Sequence, residues 1–496
     1  MEFSFTKFLQ AFEEYLQAFI GGSNEILWSY LLVGLLVILG IYFTIRSNFV
    51  QFRHIGEMFS LFKEKPSSKN RVSSFGAFCV GAASRIGTGN LAGVAVAITL
   101  GGPGAIFWMW VMGFFGAALA FVESTLAQVY KVKDPSGFKG GPSYYMEKAL
   151  GKRWMGIIFS VLIIFTFGLA FVSVQANTIS EAFNSAFGID RLVVGLSIAL
   201  ITALVIFGGI KRIAKVSQVV VPVMAVFYIL LALYVVIVNI TEIPGLIGMI
   251  VSSAFGWNEA FGGAIGAAIV NGVKRGLFSN EAGMGSAPVA AATADVSHPA
   301  KQGFIQTLGV FVDTIIICSA TAFIILLSGF TPSENMEGIT VTQLALSEHV
   351  GAWATTFIAF AILLFSFSSI IGSYYYGESN IEFIKESKPT LFVFRLAVVG
   401  MVTFGSIASL ELVWSLADLF MGLMAVTNLI ALILIGKISI TVLQDYLEQK
   451  KEGKDPVFLA SRIKGLNNTE CWNEEDVRHF TDDIKVEQKD SQDVNV

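Results

Sequence analysis

Continuous apolar runs of about 20 residues recur from one end of the chain to the other, and a helix needs that length to cross a bilayer core of roughly 30 Å. Strands of a porin-type barrel would alternate apolar and polar residues instead, so a barrel is excluded. Charge is scarce where the runs lie. Of the 70 charged residues in 496, 21 fall in residues 444–496, leaving 49 in the first 443. A soluble chain carries about 25% charge. A nucleic-acid binder, an ordinary soluble enzyme and a disordered chain are therefore excluded, and the net charge of −4 offers nucleic acid no attraction. The residues read as an all-α polytopic membrane protein with a short polar tail.

Eleven membrane helices are expected, at roughly 27–46, 76–100, 104–130, 155–180, 193–210, 217–240, 261–291, 303–329, 352–375, 392–410 and 414–443. Residues 1–24 are not a signal peptide, because Glu13 and Glu14 interrupt the apolar stretch and no basic segment precedes it. Phe5, Phe8, Leu9, Phe12, Tyr15, Leu16 and Phe19 recur at helical spacing, as in an amphipathic helix lying in the membrane interface.

Lysine and arginine orient the spans. They crowd the loops after spans one (Arg46, Arg53, Lys63, Lys65, Lys69, Arg71), three (Lys131, Lys133, Lys139, Lys148, Lys152, Arg153), five (Lys211, Arg212, Lys215) and nine (Lys385, Lys388). The intervening loops are nearly bare, with Arg191 alone. The basic loops and the C-terminus are thus expected inside and the N-terminus outside. Cys79, Cys318 and Cys471 are too scattered for a disulfide framework or a metal site, and His54, His298, His349 and His479 show no ligand spacing.

Spans two and seven are broken by glycine and carry polar residues at mid-depth. They lie five helices apart, and an odd-numbered repeat inverts its direction through the membrane. Two inverted five-helix repeats, 73–260 and 261–443, follow as an expectation. Residues 25–72 then hold an extra helix with its basic loop, and 444–496 the charged tail. Paired interrupted helices point to a transporter's binding site. Unwinding a helix in lipid frees N–H and C=O groups that a ligand can satisfy. Half-helix N-termini suit a carboxylate, and freed carbonyls suit a hard cation.

Span two reads Gly87-Thr88-Gly89-Asn90 within Gly81–Gly93, and Gly89 and Gly93 also have the spacing of close helix packing. Span seven carries Lys274, Arg275 and Glu281 among Gly272, Gly276, Gly283, Gly285 and Pro288. Charges inside a membrane are functional by default. A cytoplasmic loop at 274–288 is the other reading of this stretch. Arg85 and Glu281 are candidates for a gate or clasp across the two breaks. Asp313 reads as a proton or cation relay, or as an acid at the membrane edge or satisfied by neighbouring helices. Glu123 and Asp418 lie in or near spans without an evident role. Tyr374, Tyr375 and Tyr376 read as an interfacial aromatic belt.

The Gly-Thr-Gly-Asn segment, the Arg-Gly-Leu-Phe-Ser-Asn-Glu-Ala-Gly-Met-Gly-Ser-Ala segment from Arg275 and the Phe-Ser-Ser-Ile-Ile-Gly-Ser-Tyr-Tyr-Tyr-Gly-Glu run at 367–378 resemble the alanine/glycine:cation symporter family, over residues 25 to 445. The resemblance implies the leucine-transporter-type fold of the amino acid–polyamine–cation superfamily. It also implies sodium-coupled uptake of small neutral amino acids across a bacterial plasma membrane. By motif, it puts the substrate beside Thr88, Gly89, Asn90, Phe278, Ser279 and Asn280, with Gln175 as a further contact. From its residues alone, Gln175 reads equally as a solvated position near a helix end. For sodium the fold implies the carbonyls of Ala83 and Ile86 and the hydroxyls of Ser368 and Ser369, although Ser366, Ser368 and Ser369 could bond back to their own helix. Many family members carry tryptophan where this chain has Ser373, so a roomier pocket, open to serine or glutamine, is expected.

No cofactor is implied beyond the coupling sodium. The implied partners are a small neutral amino acid, Na+ and the lipid bilayer, with no obligatory protein partner evident. No phosphate-binding Gly-x-x-x-x-Gly-Lys-Ser/Thr motif occurs, so ATP is not the direct energy source. The spans hold no histidine for an enzyme's catalytic set and no repeated filter loop for a channel. Proton coupling through Glu281 or Asp313 is the competing transport mechanism.

Overall fold

The computed structural model describes residues 17–480 except 65, 69, 70, 136, 208, 209, 258–261, 330–337 and 479, and leaves the side chains of 210–221, 224 and 262–264 undescribed. Most of the amphipathic helix expected over 1–24 lies outside the described residues.

Among the described residues the regular structure is helical apart from one short hairpin, β1 (Val132–Asp134) against β2 (Gly137–Lys139). The main helices are α1 (Gln17–Arg46), α2 (Ser74–Arg85), α3 (Gly89–Gly101), α4 (Gly104–Val129), α5 (Pro142–Lys148), α6 (Arg153–Phe187), α7 (Arg191–Ile206), α8 (Ile210–Val238) and α9 (Ile243–Ala254). They continue with α10 (Gly262–Asn280), α11 (Ala287–Ala292), α12 (Pro299–Leu327), α13 (Ile339–Val350), α14 (Trp353–Ile384), α15 (Lys388–Ile407), α16 (Leu410–Ile435) and α17 (Lys437–Lys451).

Among the described residues, seven helices are long and apolar enough to cross a membrane: α1, α4, α6, α12, α14, α15 and α16. The last 14 residues of α8 and all of α9 form an eighth unit, bent by 103°. The other expected spans fail that test for identifiable reasons. Spans two and seven are interrupted, and α7 has only 16 residues, or about 24 Å of helix. Two loops expected to be bare hold the helices α9 and α13. The end of the last expected span belongs to a separate helix, α17.

Lipid-facing and core-facing positions separate as an apolar solvent demands. Leu192, Leu196, Leu200 and Leu204 on α7 point outward, whereas Thr88, Asn90, Glu123, Ser279, Asn280, Asp313 and Asn428 are fully buried. Polar groups therefore collect at the centre, where other helices can satisfy them. Long helices widen into π-helical turns at Ile26–Leu32 in α1, Ile164–Phe171 in α6 and Phe311–Cys318 in α12. Such turns re-aim side chains and cluster at functional sites.

Candidate functional site

Both interrupted spans break where the sequence weakens them. The first helix stops at Arg85, Ile86 turns extended (φ −77°, ψ 98°), and helix resumes at Gly89. The second stops at Asn280 and resumes at Ala287, passing through Glu281, Gly283 and Gly285 at φ 57°, 82° and 89°. The glycines meet that left-handed requirement without strain. Glu281 is a non-glycine held there, an arrangement that persists only when its surroundings impose it.

Those surroundings are two hydroxyls. Ser84 donates to one Glu281 carboxylate oxygen and Ser286 to the other, both at 2.6 Å. The Arg85–Glu281 clasp is thus corrected: the described residues show no ion pair between them, and the direct partners of the carboxylate are the two hydroxyls. Arg85 is buried, with Nε and Nη2 unpartnered among the described residues, within electrostatic reach of Glu123, Glu281 and Asp313. The amides freed in the second break are also taken. Gly283 and Gly285 each donate an N–H to Glu123 at 3.1 Å, and Asn428 donates to Glu123 and to the Gly283 carbonyl at 2.9 Å. An internal carboxylate thus occupies the positive amides of this break. Residues 274–288 are a broken helix, buried except for half-buried Lys274, and not an open loop.

In the first break, the Gly87 N–H donates to Asn90 Oδ1 at 2.9 Å and the Thr88 N–H donates to Gln175 Oε1 at 3.0 Å. Gln175 is buried and bound to the break, so it is not a solvated helix end. A Cβ on Gly89 would stand 3.0 Å from Ser279 Cα and 3.1 Å from the Phe278 ring, so this glycine lets the two broken spans touch. Asn90 donates to Ser279 Oγ at 3.0 Å and to Asp313 Oδ1 at 2.7 Å. Ser279 donates to Asp313 Oδ2 at 2.8 Å. Phe278 lies between Phe171 and Trp414, with ring centroids at 4.4 and 4.6 Å.

The residues expected to hold sodium converge as well. Ser369 Oγ reaches the Ala83 carbonyl at 2.9 Å and the Ile86 carbonyl at 3.3 Å, and Ser368 Oγ reaches Ala83 at 3.4 Å. Both hydroxyls also bond back to Phe365 on their own helix, at 2.7 and 3.2 Å. Ser366 instead crosses to Thr88 Oγ1 at 2.9 Å. Oxygen atoms of this kind suit a hard cation.

Two expected members stand apart. Asn280 Oδ1 accepts the Ala282 N–H at 3.0 Å, inside its own break. Ser373 lies one helical turn beyond Ser369, buried, its hydroxyl without a partner among the described residues. The three tyrosines are not an interfacial belt. Their helix runs on to Ile384, so they are buried, and Tyr374 bonds to Glu378 and Arg395 at 2.7 and 2.8 Å.

Two features were not assigned to the site from the sequence. Asp313 is buried and joins the cluster at the breaks, satisfied by Asn90 and Ser279 of neighbouring helices. Above Phe278, Asp418 of α16 pairs with Arg275 at 2.5 Å and Lys274 at 3.3 Å, and the Arg275 guanidinium lies 4.2 Å from the Trp414 ring centre. All these charges are largely buried, and the ion-paired cluster packs against the Trp414 ring. The unusual density of Lys274, Arg275 and Asp418 in apolar spans was its available signal.

Comparison with known proteins agrees. The model of the family described as "Sodium:alanine symporter family" matches residues 13–460. "Amino-acid carrier protein AlsT" of Bacillus subtilis is 56% identical, covering 93% of this chain and 99% of the relative. "Probable sodium/glutamine symporter GlnT" of the same organism is 54% identical, covering 96% and 100%. "Sodium/alanine symporter AgcS" of Methanococcus maripaludis is 39% identical, covering 87% and 98%. A solved manganese transporter of Eremococcus coleocola shares the fold at a TM-score of 0.51 and 12% identity, over 78% of this chain and 88% of that one. The chain is a multi-pass membrane protein of the sodium:alanine symporter family, whose members are transporters and not enzymes.

Proposed function

We propose that the protein is a secondary symporter that carries small neutral amino acids into the cell with sodium. Supporting this most directly is the meeting of the two broken spans at Gly89 and Ser279, beside the oxygen cluster of Ala83, Ile86, Ser368 and Ser369. The second break holds a carboxylate, Glu123, on its amides, whereas the first meets only the neutral amide oxygens of Asn90 and Gln175, so a substrate carboxylate belongs at the first, beside Thr88, Gly89 and Asn90. Gln175, Phe278 and Ser279 complete the substrate surroundings, with Asn280 and Ser373 at its margin. Sodium belongs at the oxygen cluster, and no further cofactor takes part. The name of the relative GlnT supports glutamine beside alanine, glycine and serine.

The architecture that goes with this reading has eleven spans of the leucine-transporter type. Residues 73–260 and 261–443 form inverted five-helix repeats, and 25–72 lie outside them. The chain spans a bacterial plasma membrane with its N-terminus outside and its C-terminus in the cytoplasm, as the lysine and arginine distribution supports. The ion-paired cluster of Arg275, Lys274 and Asp418 serves as the outer gate.

A second reading, proton coupling, is favoured by one observation: Asp313 is a carboxylate bonded directly to Asn90 and Ser279. Radiolabelled alanine and glutamine uptake into proteoliposomes separates the two. Uptake driven by an inward sodium gradient supports the first reading. Uptake that ignores sodium and follows a pH gradient replaces it with the second.

A further inference from the structure

Past α17 the charged tail turns back and packs against the protein. Phe458 donates its N–H to the Ser297 carbonyl at 2.9 Å, and Ser297 Oγ donates to the Pro456 carbonyl at 2.8 Å. Gln449 brackets Val457 with one bond to its carbonyl and one from its N–H, at 3.1 and 3.0 Å. Farther along, Trp472 is 2% exposed, packs on Phe458 and donates its indole N–H to the Gln128 carbonyl at 2.9 Å. The Lys131 ammonium lies 4.6 Å from the Trp472 ring centre and 4.1 Å from that of Phe138. Ion pairs flank this anchor: Lys133–Asp476 at 2.5 Å, Lys301–Asp455 at 3.1 Å, and Lys148–Glu470.

The place of docking matters. Gln128 and Lys131, which the tail covers, hold the carbonyl groups just past the broken span: Gln128 Nε2 reaches Ala291 and Ala294 at 2.5 and 3.0 Å, and Lys131 Nζ reaches Ala294 at 3.1 Å. Ala294 in turn forms a parallel backbone bridge with Val72, at the foot of α2, with the Asp295 N–H on the Val72 carbonyl at 2.9 Å. The tail therefore covers the junction where the basic-side halves of both broken spans are tied. It also reaches α5, through Asn468 and the Lys148 carbonyl at 2.9 Å.

We propose that residues 452–477 are an autoinhibitory strap, anchored by Trp472, that holds the inner halves of the two broken spans together and slows their opening. This rests on the symport and orientation proposed above and adds a regulatory element to them. A half-helix cannot swing about its break while its end is pinned to α4, so undocking must precede or accompany opening. Tryptophan is a suitable anchor, since one ring buries a large apolar area and directs a single N–H. The flanking ion pairs are partly exposed and weaken with salt.

The experiment compares initial uptake rates in proteoliposomes for the full chain, a chain stopped after Lys451, and Trp472→Ala. Sodium-driven uptake by the full chain is the control, so a failure of the symport reading shows there and a failure of the strap shows in the ratios. We expect both variants to transport about fivefold faster or more. Cys471, buried with its thiol on the Lys131 carbonyl, should react with an impermeant maleimide faster in Trp472→Ala than in the parent. Rates equal to or below the parent's in both variants, with each still monodisperse, overturn the proposal. Unchanged Cys471 labelling in Trp472→Ala overturns Trp472 as the anchor.

Discussion

Asn90 and Asp313, 223 residues apart in the chain, are joined by a hydrogen bond of 2.7 Å from side-chain amide to carboxylate. With Ser279 as third member, this contact ties α3 to α10 and α12 beside both breaks. Asp313→Asn removes the charge while preserving the volume. Sodium-driven uptake should fall roughly tenfold or more, since a hydrogen bond to a charged group is worth about 1.5–3 kcal/mol. Uptake within twofold of the parent would remove Asp313 from the mechanism.

Gly87 has no room for a side chain. A Cβ there would stand 2.3 Å from Ser369 Oγ and 2.9 Å from Gln175 Oε1. Gly87→Ala therefore disturbs the proposed cation and amino-acid positions together. The apparent affinities for sodium and for alanine should each weaken about tenfold, as overpacking costs roughly 1–3 kcal/mol. A change in one affinity alone would separate the two positions.

Asp418 faces two cations, and Asp418→Asn leaves Lys274 and Arg275 buried without a carboxylate. Stability should drop by about 3–5 kcal/mol, the range for stranding one partner of a buried pair. Thermal unfolding in detergent measures it. Exchanging the charges, with Arg275→Asp and Asp418→Arg together, should recover part of the loss. An exchange variant no more stable than Asp418→Asn would show that the pair does not act as a unit.

Ser373 brings an unpartnered hydroxyl to a buried turn of α14. Ser373→Trp should narrow uptake to alanine and glycine, with glutamine and serine no longer competing against labelled alanine. An unchanged competition profile would mean that this position does not set substrate size.

His298 caps the start of α12 with Nδ1 accepting the Ala300 N–H at 3.2 Å, which leaves Nε2 to donate to Asp445 at 3.1 Å. Burial lowers the imidazole to about 4, against the opposing pull of Asp445, and Lys301 and Arg462 add to the cost of a charged ring. Between pH 6.5 and about 4 the unfolded chain holds the extra proton and the folded chain does not. Stability should therefore fall as pH drops through that window, by at most about 3 kcal/mol. The unfolding temperature of His298→Asn should depend less steeply on pH there, and parallel curves for the two proteins would count against a buried neutral His298.

The breaks were legible because interrupting a helix in lipid needs specific residues, and Gly87, Gly89, Gly283 and Gly285 stand where the backbone turns. Partner choice was less legible. Glu281 bonds to Ser84, one residue before the arginine that charge alone suggested, because a pairing depends on which side each residue faces after the turn. Asp313 could not be told from an edge acid, since its neighbours Asn90 and Ser279 come from other spans. The helices α9 and α13 escaped notice because 12 residues are too few to read as a span. The burial of Tyr374 and Tyr376 depends on α14 continuing well past the apolar run that marked it.

The partners of the first break carry a consequence for biosynthesis. Ser84 bonds to Glu281, Thr88 to Gln175 and Ser366, and Asn90 to Ser279 and Asp313. When this stretch leaves the ribosome, none of those groups has been translated. Span two must enter the bilayer with these polar side chains still hydrated, near the insertion machinery or in a shallow, provisional position. It can settle only after about 280 further residues have followed, since Thr88 and Ser366 lie 278 residues apart in the chain. The residues that make the site are thus also the ones that delay its assembly, and a chain truncated between the two halves would leave its first half unable to seat.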